Sequence, residues 1–459
     1  MSVWRHKDDD GEDDTRVFEL RHGSSGEQPL GRLAPQAWMT QSPTRRVVAA
    51  LTTEGAEVRF IGGCVRDAIL QRQVRDIDLA LALPPDAVMR LLTAAGIKVI
   101  PTGVDHGTVT ALIEGVPFEI TTLRIDVETD GRRAKVAFTD DWVADAARRD
   151  FTINAMSCTP DGSVYDYFDG LRDLGQGRIR FVGDARARIS EDVLRLLRFF
   201  RFYAHYGKPP PDGDALAACR EWADKVTLLS GERVRIEILR TLLAPNPNDA
   251  FEFMRTHHVL EHVLPEASEP GRLRQMAWLE LSGLPPGTVS VDAIRRLAAL
   301  VRTSAEGATQ LGERLRLSNR ERERLVALAA PVFCPEPDAP PLELQHALHR
   351  LGRETVIDLI LLAWAAERAR VGVSRPVRTQ AWQAMLDRAR AWVANPFPLR
   401  GRDAVAAGIA HGPDIGRLMA EVEAWWAEDG YTADREACLA RMRALIAHRL
   451  GDRASSAQA

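Results

Sequence analysis

Short apolar runs of the length expected for β-strands alternate with helix-like stretches between residue 47 and about residue 180. Strand-like patterns occur at residues 57–61, 76–81, 108–113, 117–123, 136–138 and 163–167. From residue 189 onward, apolar positions recur with helical period and are interrupted by proline-rich breaks. The pattern therefore predicts an α+β protein, with a small α/β head followed by an all-helical remainder.

The length and the charge balance narrow the class of protein. The chain has 459 residues, which is too many for one compact core, so we expect several domains. Its 60 basic and 64 acidic residues give a net charge of -4, so any nucleic-acid site must be a local patch. The segment 1–37 is polar and acidic, and we expect it to be a disordered tail.

The spacing of the cysteines and the length of the apolar runs indicate where in the cell the protein is located. The five cysteines are scattered, and no two of them have the spacing of metal ligands. No apolar run is long enough to cross a bilayer, and the start of the chain does not resemble a signal peptide. We therefore expect a cytoplasmic protein without a membrane partner.

Two aspartates begin one of the strand-like runs. Asp76 and Asp78 are two positions apart, so their side chains leave the same face of a strand. Two neighbouring carboxylates repel each other unless a cation lies between them, and Mg²⁺ prefers such oxygen ligands. Glu119, in another strand-like run, could lie alongside them. Taken alone, the Asp-x-Asp pattern is more often a strand with solvent-facing acids.

A pair of glycines stands where a strand-like run gives way to a helix. Gly62 and Gly63 would let backbone N–H groups approach an anion closely, and the start of the helix adds positive potential. Arg66, in the first turn, could bind phosphate oxygens with its guanidinium fork. A plain strand–turn–helix with two glycines is the alternative, but the short distance to Asp76 favours a triphosphate site.

Four motifs, read together, resemble one known family. Residues 62–67 followed by 76–78 resemble the head of the polymerase-β-like nucleotidyltransferases. Residues 148–156, and residues 181–184 with 188–202, resemble the next motifs of the branch that contains bacterial-type (class II) tRNA nucleotidyltransferases, or CCA-adding enzymes, and bacterial poly(A) polymerases. This resemblance implies template-independent addition of CCA to tRNA from CTP and ATP, with pyrophosphate release.

The resemblance also implies an organisation and a set of site residues. It implies a nucleotidyltransferase head at 38–180, a base-recognising neck at 181–250, a body at 251–375 and a tRNA-binding tail at 376–459. It implies Mg²⁺, as a two-metal site, on Asp76 and Asp78, with Glu119 as a third catalytic carboxylate. The residues that it places at the nucleotide are Gly62, Gly63, Arg66, Arg149, Asp192, Arg195, Arg198 and Arg201.

A single helix starting at Ser190 would present the base-reading residues. Asp192, Arg195, Arg198 and Arg201 recur every three residues and would form one polar stripe. An aspartate accepts hydrogen bonds from the exocyclic amines of cytosine and adenine, whereas uracil and guanine offer it a carbonyl oxygen. Such a mismatch is worth on the order of 10⁴-fold in rate. The alternative is an ordinary salt-bridged helix surface.

Two further features of the sequence bear on function. Residues 130–133, Asp-Gly-Arg-Arg, are a hairpin-turn signal, although an ordinary loop is the more common interpretation of such a segment. Arginines between residues 314 and 324 could contact tRNA phosphates or pair with neighbouring glutamates, and with 60 basic residues in the chain the two are about equally plausible. Other functions stay open at this level: a poly(A) polymerase, a CC-adding or A-adding partial enzyme, and a non-catalytic RNA-binding protein.

Overall fold

A computed structural model describes residues 18–20, 28–130, 133–372, 376–409 and 412–456. The chain divides into two compact units, Met1–Pro265 and Glu266–Ala459. The predicted head and neck both belong to the first unit, and most of the predicted body and all of the predicted tail belong to the second. In the part of the chain that is described, no helix is long and apolar enough to cross a membrane.

The strands all lie in the first unit. They are β1 Phe18–Leu20, β2 Gly31–Leu33, β3 Arg59–Ile61, β4 Ile77–Leu81, β5 Lys98–Gly103, β6 Thr108–Ile113, β7 Val116–Thr122, β8 Arg124–Asp130, β9 Arg133–Phe138, β10 Ser157–Cys158 and β11 Ser163–Tyr165. Nine of these described strands form one sheet in the order β1-β2-β11-β10-β3-β4-β7-β6-β5. Strands β8 and β9 form a separate antiparallel pair in which Asp130 is opposite Arg133, and residues 131–132 of the predicted turn lie outside the described part.

The helices of the first unit follow and separate these strands. They are α1 Ala37–Thr40, α2 Ser42–Thr52, α3 Gly63–Ile69, α4 Pro85–Ala94, α5 Trp142–Ala147, α6 Gly170–Gln176, α7 Ala185–Glu191, α8 Leu194–Tyr206, α9 Gly213–Glu221, α10 Gly231–Leu242, α11 Pro247–Thr256 and α12 Leu260–Val263. Helix α4 packs against β5 and β6, and side chains that alternate along β6 (Val109, Ala111 and Ile113) are buried on one face of the sheet. Because these side chains are buried, the strands cannot slip in register, and Asp78 stays on the opposite face of the sheet.

Part of the segment expected to be disordered is ordered. Strands β1 and β2 pair with each other, and β2 also pairs with β11. Leu33 is fully buried, so the apolar positions of this segment add to the core even though the surrounding sequence is acidic. The prediction of a disordered segment at 1–37 is therefore wrong for these strands, while residues 1–17 and 21–27 lie outside the described part.

The single base-reading helix expected from Ser190 is also wrong. Helix α7 begins earlier, because the Asp184 side chain accepts a hydrogen bond from the N–H of Ala187 at 2.8 Å and caps it. Ser190 lies in the last turn of α7 and donates to the carbonyl of Ala187. The chain then breaks at Asp192, which has extended backbone angles, before α8 begins at Leu194.

The second unit is built from helices in its described part. They are α13 Pro270–Trp278, α14 Ala293–Leu300, α15 Ala305–Arg314, α16 Asn319–Ala329, α17 Pro341–Leu351, α18 Arg353–Val371, α19 Pro376–Ala391, α20 Gly401–Ala406, α21 Pro413–Glu428 and α22 Arg435–Ser456. Helix α16 starts with a capping box in which the Ser318 hydroxyl accepts from the N–H of Glu321. The Glu321 carboxylate accepts from the N–H of Ser318 in return, at 2.8 Å.

Buried ion pairs tie the helices of this second unit together. Glu280 is fully buried and contacts both Arg295 and Arg296 at 2.5 Å. Arg295 also pairs with buried Asp358 on α18 at 2.7 Å, and Arg324 on α16 pairs with the same carboxylate. Because each charge is desolvated, the loss of one partner leaves another charge buried without its counter-ion.

Replacement of Glu280 should destabilise the second unit strongly. Glu280→Ala is expected to lower the free energy of unfolding by about 3–5 kcal/mol, because two buried guanidinium groups lose their shared carboxylate. Equilibrium unfolding in urea measures this loss. Glu354→Ala is the matched control, since Glu354 is 85% exposed and its change should stay within about 0.5 kcal/mol. Equal effects of the two substitutions would contradict the importance of the buried network.

Candidate active site

Three carboxylates meet on the open face of the sheet. Asp78 is the second residue of β4, and Asp76 directly precedes the strand. Strands β4 and β7 are parallel neighbours, and their register places Glu119 directly opposite Asp78. Residues opposite each other on neighbouring strands share a face, with Cβ atoms about 4.5–5.5 Å apart. The backbone register therefore brings Asp78 and Glu119 together, and Asp76 lies two residues before Asp78 in the chain.

The pKa of Asp78 reports the crowding of negative charge. Burial, followed by the negative charges of Glu119 and Asp76, raises the pKa of the Asp78 carboxyl to about 6. Arg149 and Arg66 act in the opposite direction, so both guanidinium groups lie within the electrostatic reach of this carboxyl. A cation bound here, in addition to the two arginines, would therefore stabilise the ionised form of Asp78.

The aspartate pair has the donor set of a magnesium site. Among the described residues, no group of three or more His, Cys, Asp or Glu side chains is arranged to hold a metal ion by protein ligands alone. Mg²⁺ is commonly bound by one or two carboxylates, with substrate phosphates and water completing its shell. Asp76 is exposed and Asp78 half-buried, so their oxygens are accessible for that arrangement. The role of Glu119 as a third ligand stays a prediction.

The glycine turn lies beside these acids. Gly62 has a φ of 69°, which side chains rarely permit, and Gly63 is the first residue of α3. A Cβ atom on Gly62 would be 3.5 Å from Nη1 of Arg149, so this arginine reaches the turn from another part of the chain. The backbone of the turn and the Arg149 guanidinium together form a cationic surface next to the carboxylates.

Arg66 is held more tightly than expected. Its Nη1 donates to Oδ1 of Asn154 at 2.5 Å, and its Nε and Nη2 donate to the two carboxylate oxygens of Asp67. The guanidinium also stacks over the Tyr206 ring at 4.3 Å, and the Tyr206 hydroxyl donates to Asp67 at 2.9 Å. The fork that the sequence assigns to a phosphate is thus paired with Asp67 in this structure.

A buried aspartate organises the Arg-Arg-Asp motif. Asp145 accepts hydrogen bonds from Arg148 at 2.6 Å and from Arg149 at 3.0 Å, and from the backbone N–H of Arg124 at 3.3 Å. Burial acts to raise the pKa of Asp145, but Arg149 and Arg148 outweigh it and hold that pKa below its usual value. The carboxylate therefore stays ionised and fixes where Arg149 points.

A chain of hydrogen bonds connects the glycine turn to helix α8. Asn154 accepts from Arg66 and donates through Nδ2 to Asp150 at 3.1 Å. Asp150 in turn accepts from Nε of Arg198 on α8 at 2.6 Å. A second connection runs from Arg195, whose Nη2 donates to the carbonyl oxygen of Arg148 at 3.2 Å. The predicted base-reading segment is thus anchored on the motif that carries Arg149.

The carboxylate of Asp192 is already engaged at the break between α7 and α8. Its Oδ1 accepts from the N–H of Leu194 at 3.1 Å, and its Oδ2 accepts from Nη2 of Arg233 at 2.7 Å. Arg195 is paired with Glu191 by a short contact. The Asp192 side chain is 28% exposed and so partly accessible, whereas Arg195 is 15% exposed and its guanidinium already donates to the carbonyls of Arg188 and Arg148.

Arg201 departs from the expected stripe. It is 8% exposed and pairs with Glu237 on α10 at 3.0 Å. Burial lowers the pKa of the Arg201 guanidinium to about 10, against the opposing effect of Glu237. The three-residue spacing drifts around α8, and Arg201 has moved to the side that packs on α10. Its geometry favours a structural tie between these helices over contact with a nucleotide.

The structure therefore groups most of the predicted residues and adds some that sequence reasoning missed. Asn154, Asp145, Arg233 and Tyr206 each hold a predicted site residue in place. Asn154 belongs to the second motif, so that motif could have indicated it. The family resemblance implies that the helix opening at residues 230–233, with Glu237, supports the base-reading segment. The particular contact of Arg233 with Asp192, 41 positions away, is the detail that the sequence does not give.

Comparison with known families agrees with this geometry. Residues 58–180 match the family described as the poly A polymerase head domain. Residues 211–269 match a second family, described as a probable RNA and SrmB-binding site of polymerase A. The first match covers the carboxylates, the glycine turn and the Arg-Arg-Asp motif, and the second covers Arg233 and Glu237.

Curated relatives extend the similarity over most of the chain. The mitochondrial CCA tRNA nucleotidyltransferase 1 of Mus musculus is 33% identical over 397 residues, which is 85% of this chain and 87% of the mouse protein. The human protein of the same name has the same identity and coverage. A CCA-adding enzyme of Leuconostoc citreum is 35% identical over 54% of this chain and 59% of its own length.

Solved structures share the fold. The Bacillus stearothermophilus CCA-adding enzyme in complex with CTP aligns with a TM-score of 0.71 and 23% identity, covering 90% of this chain and all of the other. The Thermotoga maritima CCA-adding enzyme complexed with tRNA aligns with a TM-score of 0.58 and 20% identity, covering 87% of this chain and 94% of the other. From the extent of its similarity to the mouse and human proteins, the chain belongs to the family of CCA-adding tRNA nucleotidyltransferases.

Proposed function

We propose that this protein adds C, C and A to the 3′ end of tRNA, using CTP and ATP and releasing pyrophosphate. The observation that carries the proposal is the parallel register that sets Glu119 opposite Asp78, next to Asp76 and beside the glycine turn. Family membership identifies the reaction, since relatives with the same motifs are named for CCA addition.

The reaction forms one bond and breaks one. The 3′ oxygen of the RNA attacks the α-phosphorus of the nucleotide, the bond to the bridging α–β oxygen breaks, and pyrophosphate leaves with its electron pair. The proton of the 3′ hydroxyl passes to solvent. Asp76 and Asp78 would hold two Mg²⁺ ions. Such a pair of ions would lower the pKa of the 3′ hydroxyl and neutralise negative charge on the leaving pyrophosphate.

The triphosphate would lie between the glycine turn and two arginines. The backbone N–H of Gly63 can donate to a phosphate oxygen at the start of α3, whereas the N–H of Gly62 donates to the carbonyl of Met156 at 3.2 Å. Arg149 is aimed at the turn by Asp145, and Arg66 can exchange its pairing with Asp67 for a phosphate. A guanidinium that is prealigned in this way binds phosphate without a large loss of side-chain entropy.

The incoming base would be read by Asp192 and Arg195, with Arg198 beside them. An aspartate carboxylate accepts from the amino group of cytosine or adenine, and an arginine donates to the adjacent ring nitrogen or carbonyl. Arg233 holds the Asp192 carboxylate from the opposite side and so limits its rotation. This arrangement selects amino-bearing bases without a template strand, and the rigidity of the acid gives the selection its sharpness.

Further parts of the proposal rest on the second unit and on the sequence. The tRNA would be bound by shape and by phosphate contacts from the body and the tail. Several arginines between residues 314 and 324 already pair with acids, including Arg314 with Glu266 and Arg324 with Asp292. Phosphate contacts in this region would therefore have to compete with those pairs. A cytoplasmic location stays a prediction from the scattered cysteines.

A substrate assay tests the proposed function directly. The purified protein is incubated with tRNA that lacks its last three nucleotides, with each NTP separately and with CTP and ATP together. Addition limited to C, C and A supports the proposal. Long tails from ATP on unrelated RNA would identify a poly(A) polymerase instead, and products that stop after CC or start only at A would identify a partial enzyme. Absence of any pyrophosphate release would indicate an RNA-binding protein.

Removal of Asp76 should abolish incorporation and leave the fold intact. Asp76→Ala is expected to reduce CTP incorporation by at least 10³-fold, on the order of a loss of about 4 kcal/mol of transition-state stabilisation. Circular dichroism should be unchanged, because Asp76 is exposed. The matched control is Asp86→Ala on α4, an exposed aspartate elsewhere in the head that should keep full activity. Retained incorporation by Asp76→Ala would refute the assignment of the metal ligand.

Removal of the Asp192 carboxylate should weaken base selection. Asp192→Ala is expected to narrow the ratio of kcat/KM for CTP over UTP by about 10²-fold or more, because a keto base no longer meets an unpaired acceptor. Steady-state kinetics with all four NTPs measures the ratio. The control is Asp214→Ala, an exposed aspartate on α9. Unchanged selectivity in Asp192→Ala would mean that the base is read elsewhere.

A further inference from the structure

One row of residues crosses four strands from the catalytic carboxylates to the edge of the sheet. Asp78 on β4 is opposite Glu119 on β7, Glu119 is opposite Thr110 on β6, and Thr110 is opposite Ile100 on β5. Neighbouring strands are about 4.8 Å apart, so the row spans roughly 14 Å. Because partners across strands share a face, all four side chains lie on the face opposite the one whose side chains are buried.

A second row beside the first carries more hydroxyl groups. Ala80 on β4 is opposite Thr121 on β7, and Thr121 is opposite Thr108 on β6. The hydroxyls of Thr108 and Thr121 are 3.2 Å apart, and those of Thr102 and Thr110 are 2.8 Å apart. We call this surface the threonine face; it consists of Thr102, Thr108, Thr110 and Thr121.

The threonine face is accessible and polar. Thr102 is exposed, the other three threonines are half-buried, and Ile100 is 38% exposed at the end of the first row. In each hydroxyl pair one group donates to the other, which leaves one O–H free to donate and several lone pairs free to accept. Strand residues on the opposite face, including Val109, Ala111 and Ile120, are buried.

The position of the glycine turn indicates what this face receives. The turn follows β3, and the sheet order places β3 on one side of β4 and strands β7, β6 and β5 on the other. A triphosphate at the turn puts the leaving pyrophosphate on the β3 side of the carboxylates. Because the attacking and leaving oxygens must lie roughly in line, the attacking 3′ oxygen has to arrive from the β7 side.

We propose that the threonine face binds the 3′-terminal strand of the RNA that is being extended. The terminal ribose lies next to Glu119, and the preceding nucleotides run over Thr110 towards Ile100. This inference rests on the proposed function and adds to it the path of the acceptor strand. A span of roughly 14 Å accommodates about three to four stacked nucleotides at about 3.4 Å each.

The chemistry of the face suits an RNA strand. Hydroxyl groups donate to phosphate oxygens and both donate to and accept from ribose 2′ hydroxyls, which DNA does not have. The exposed side of Ile100 offers an apolar surface for a base, and Lys98, exposed on the same strand, supplies a positive charge at the edge. Neutral donors next to Glu119 bind the strand without cancelling the negative charge that the magnesium site needs.

Two kinds of substitution on this face test the proposal. Thr110→Val and Thr108→Val keep the β-branched shape of the side chain and remove one hydroxyl each. Ile100→Glu adds a negative charge where a nucleotide would pass. We expect a three- to tenfold rise in KM for tRNA from each valine variant and tenfold or more from Ile100→Glu, which salt should reduce. KM for CTP should stay within about twofold of wild type, since the triphosphate lies on the other side of the carboxylates.

Matched controls separate this effect from general damage. Thr52→Val on α2 removes an exposed hydroxyl elsewhere in the first unit, and Thr93→Glu adds the same charge on α4, the helix that packs against β5 and β6. Both controls should keep the wild-type KM for tRNA. Thermal unfolding should show that each of the five variants is folded. A valine variant that fails to fold is replaced by alanine, which also lacks the hydroxyl, and a glutamate variant by aspartate, which keeps the charge.

Each outcome decides between the proposals. If wild type extends tRNA and the three face variants leave KM for tRNA unchanged, the proposed path is wrong while the proposed function stands. A rise in KM for CTP instead would show that the face holds the nucleotide, which also overturns the path. If wild type extends no tRNA, the proposed function itself fails. A rise confined to tRNA, absent in Thr52→Val and Thr93→Glu, supports the path.

Discussion

Mutual repulsion among Asp76, Asp78 and Glu119 is the constraint on which the site depends. The parallel register of β4 and β7 forces two of these acids together, and burial of Asp78 makes the repulsion costly. Arg149 and Arg66 relieve it only in part, because each is also paired with another carboxylate, Asp145 or Asp67. Additional positive charge would therefore stabilise the site, and the two arginines proposed to bind phosphate are oriented by these acids.

Hydrogen bonds around residues 148–154 connect the sheet of the head to helix α8. Asp150 joins Asn154, and through it Arg66, to Arg198 on α8. Arg195 is bound to the carbonyl of Arg148, directly before the arginine that reaches the glycine turn. Through these contacts, the glycine turn and the segment proposed to read the base are positioned by the same short stretch of sequence, residues 148–154.

The sequence predicted the strands whose side chains alternate and missed those that local pattern does not mark. Strands β6 and β7 were accessible to prediction because buried and less buried side chains alternate along them, and β4 because it is a short apolar run interrupted only by Asp78. Strand β5 contains Pro101 and has no buried side chain, and β10 has only two residues, so neither gave a pattern. Strands β1 and β2 lie in an acidic stretch, where composition argued for disorder while pairing with β11 supplied the order.

In the candidate site too, features set by neighbouring residues could be predicted, and features set by packing between helices could not. The aspartate pair and the glycine turn could be predicted only in combination, because each pattern taken alone is more often an ordinary strand or turn. The helix break at Asp192 could not be predicted, since both Asp184 and Ser190 are good caps by local rules, and only the structure decides between them. The burial of Arg201 against Glu237 likewise depends on how α8 packs on α10, which the three-residue spacing does not specify.

The break between α7 and α8 has a consequence for how accuracy can change over evolution. An acid inside a continuous helix would be aimed by the helix itself, but Asp192 is at a joint whose angle is set by the packing of both helices. Phe199 on α8 stacks against Phe181 with ring centroids 6.0 Å apart, so buried aromatic packing helps to position α8 and with it the joint. On the proposal that Asp192 reads the incoming base, the accuracy of the enzyme then depends also on core residues that do not contact the nucleotide.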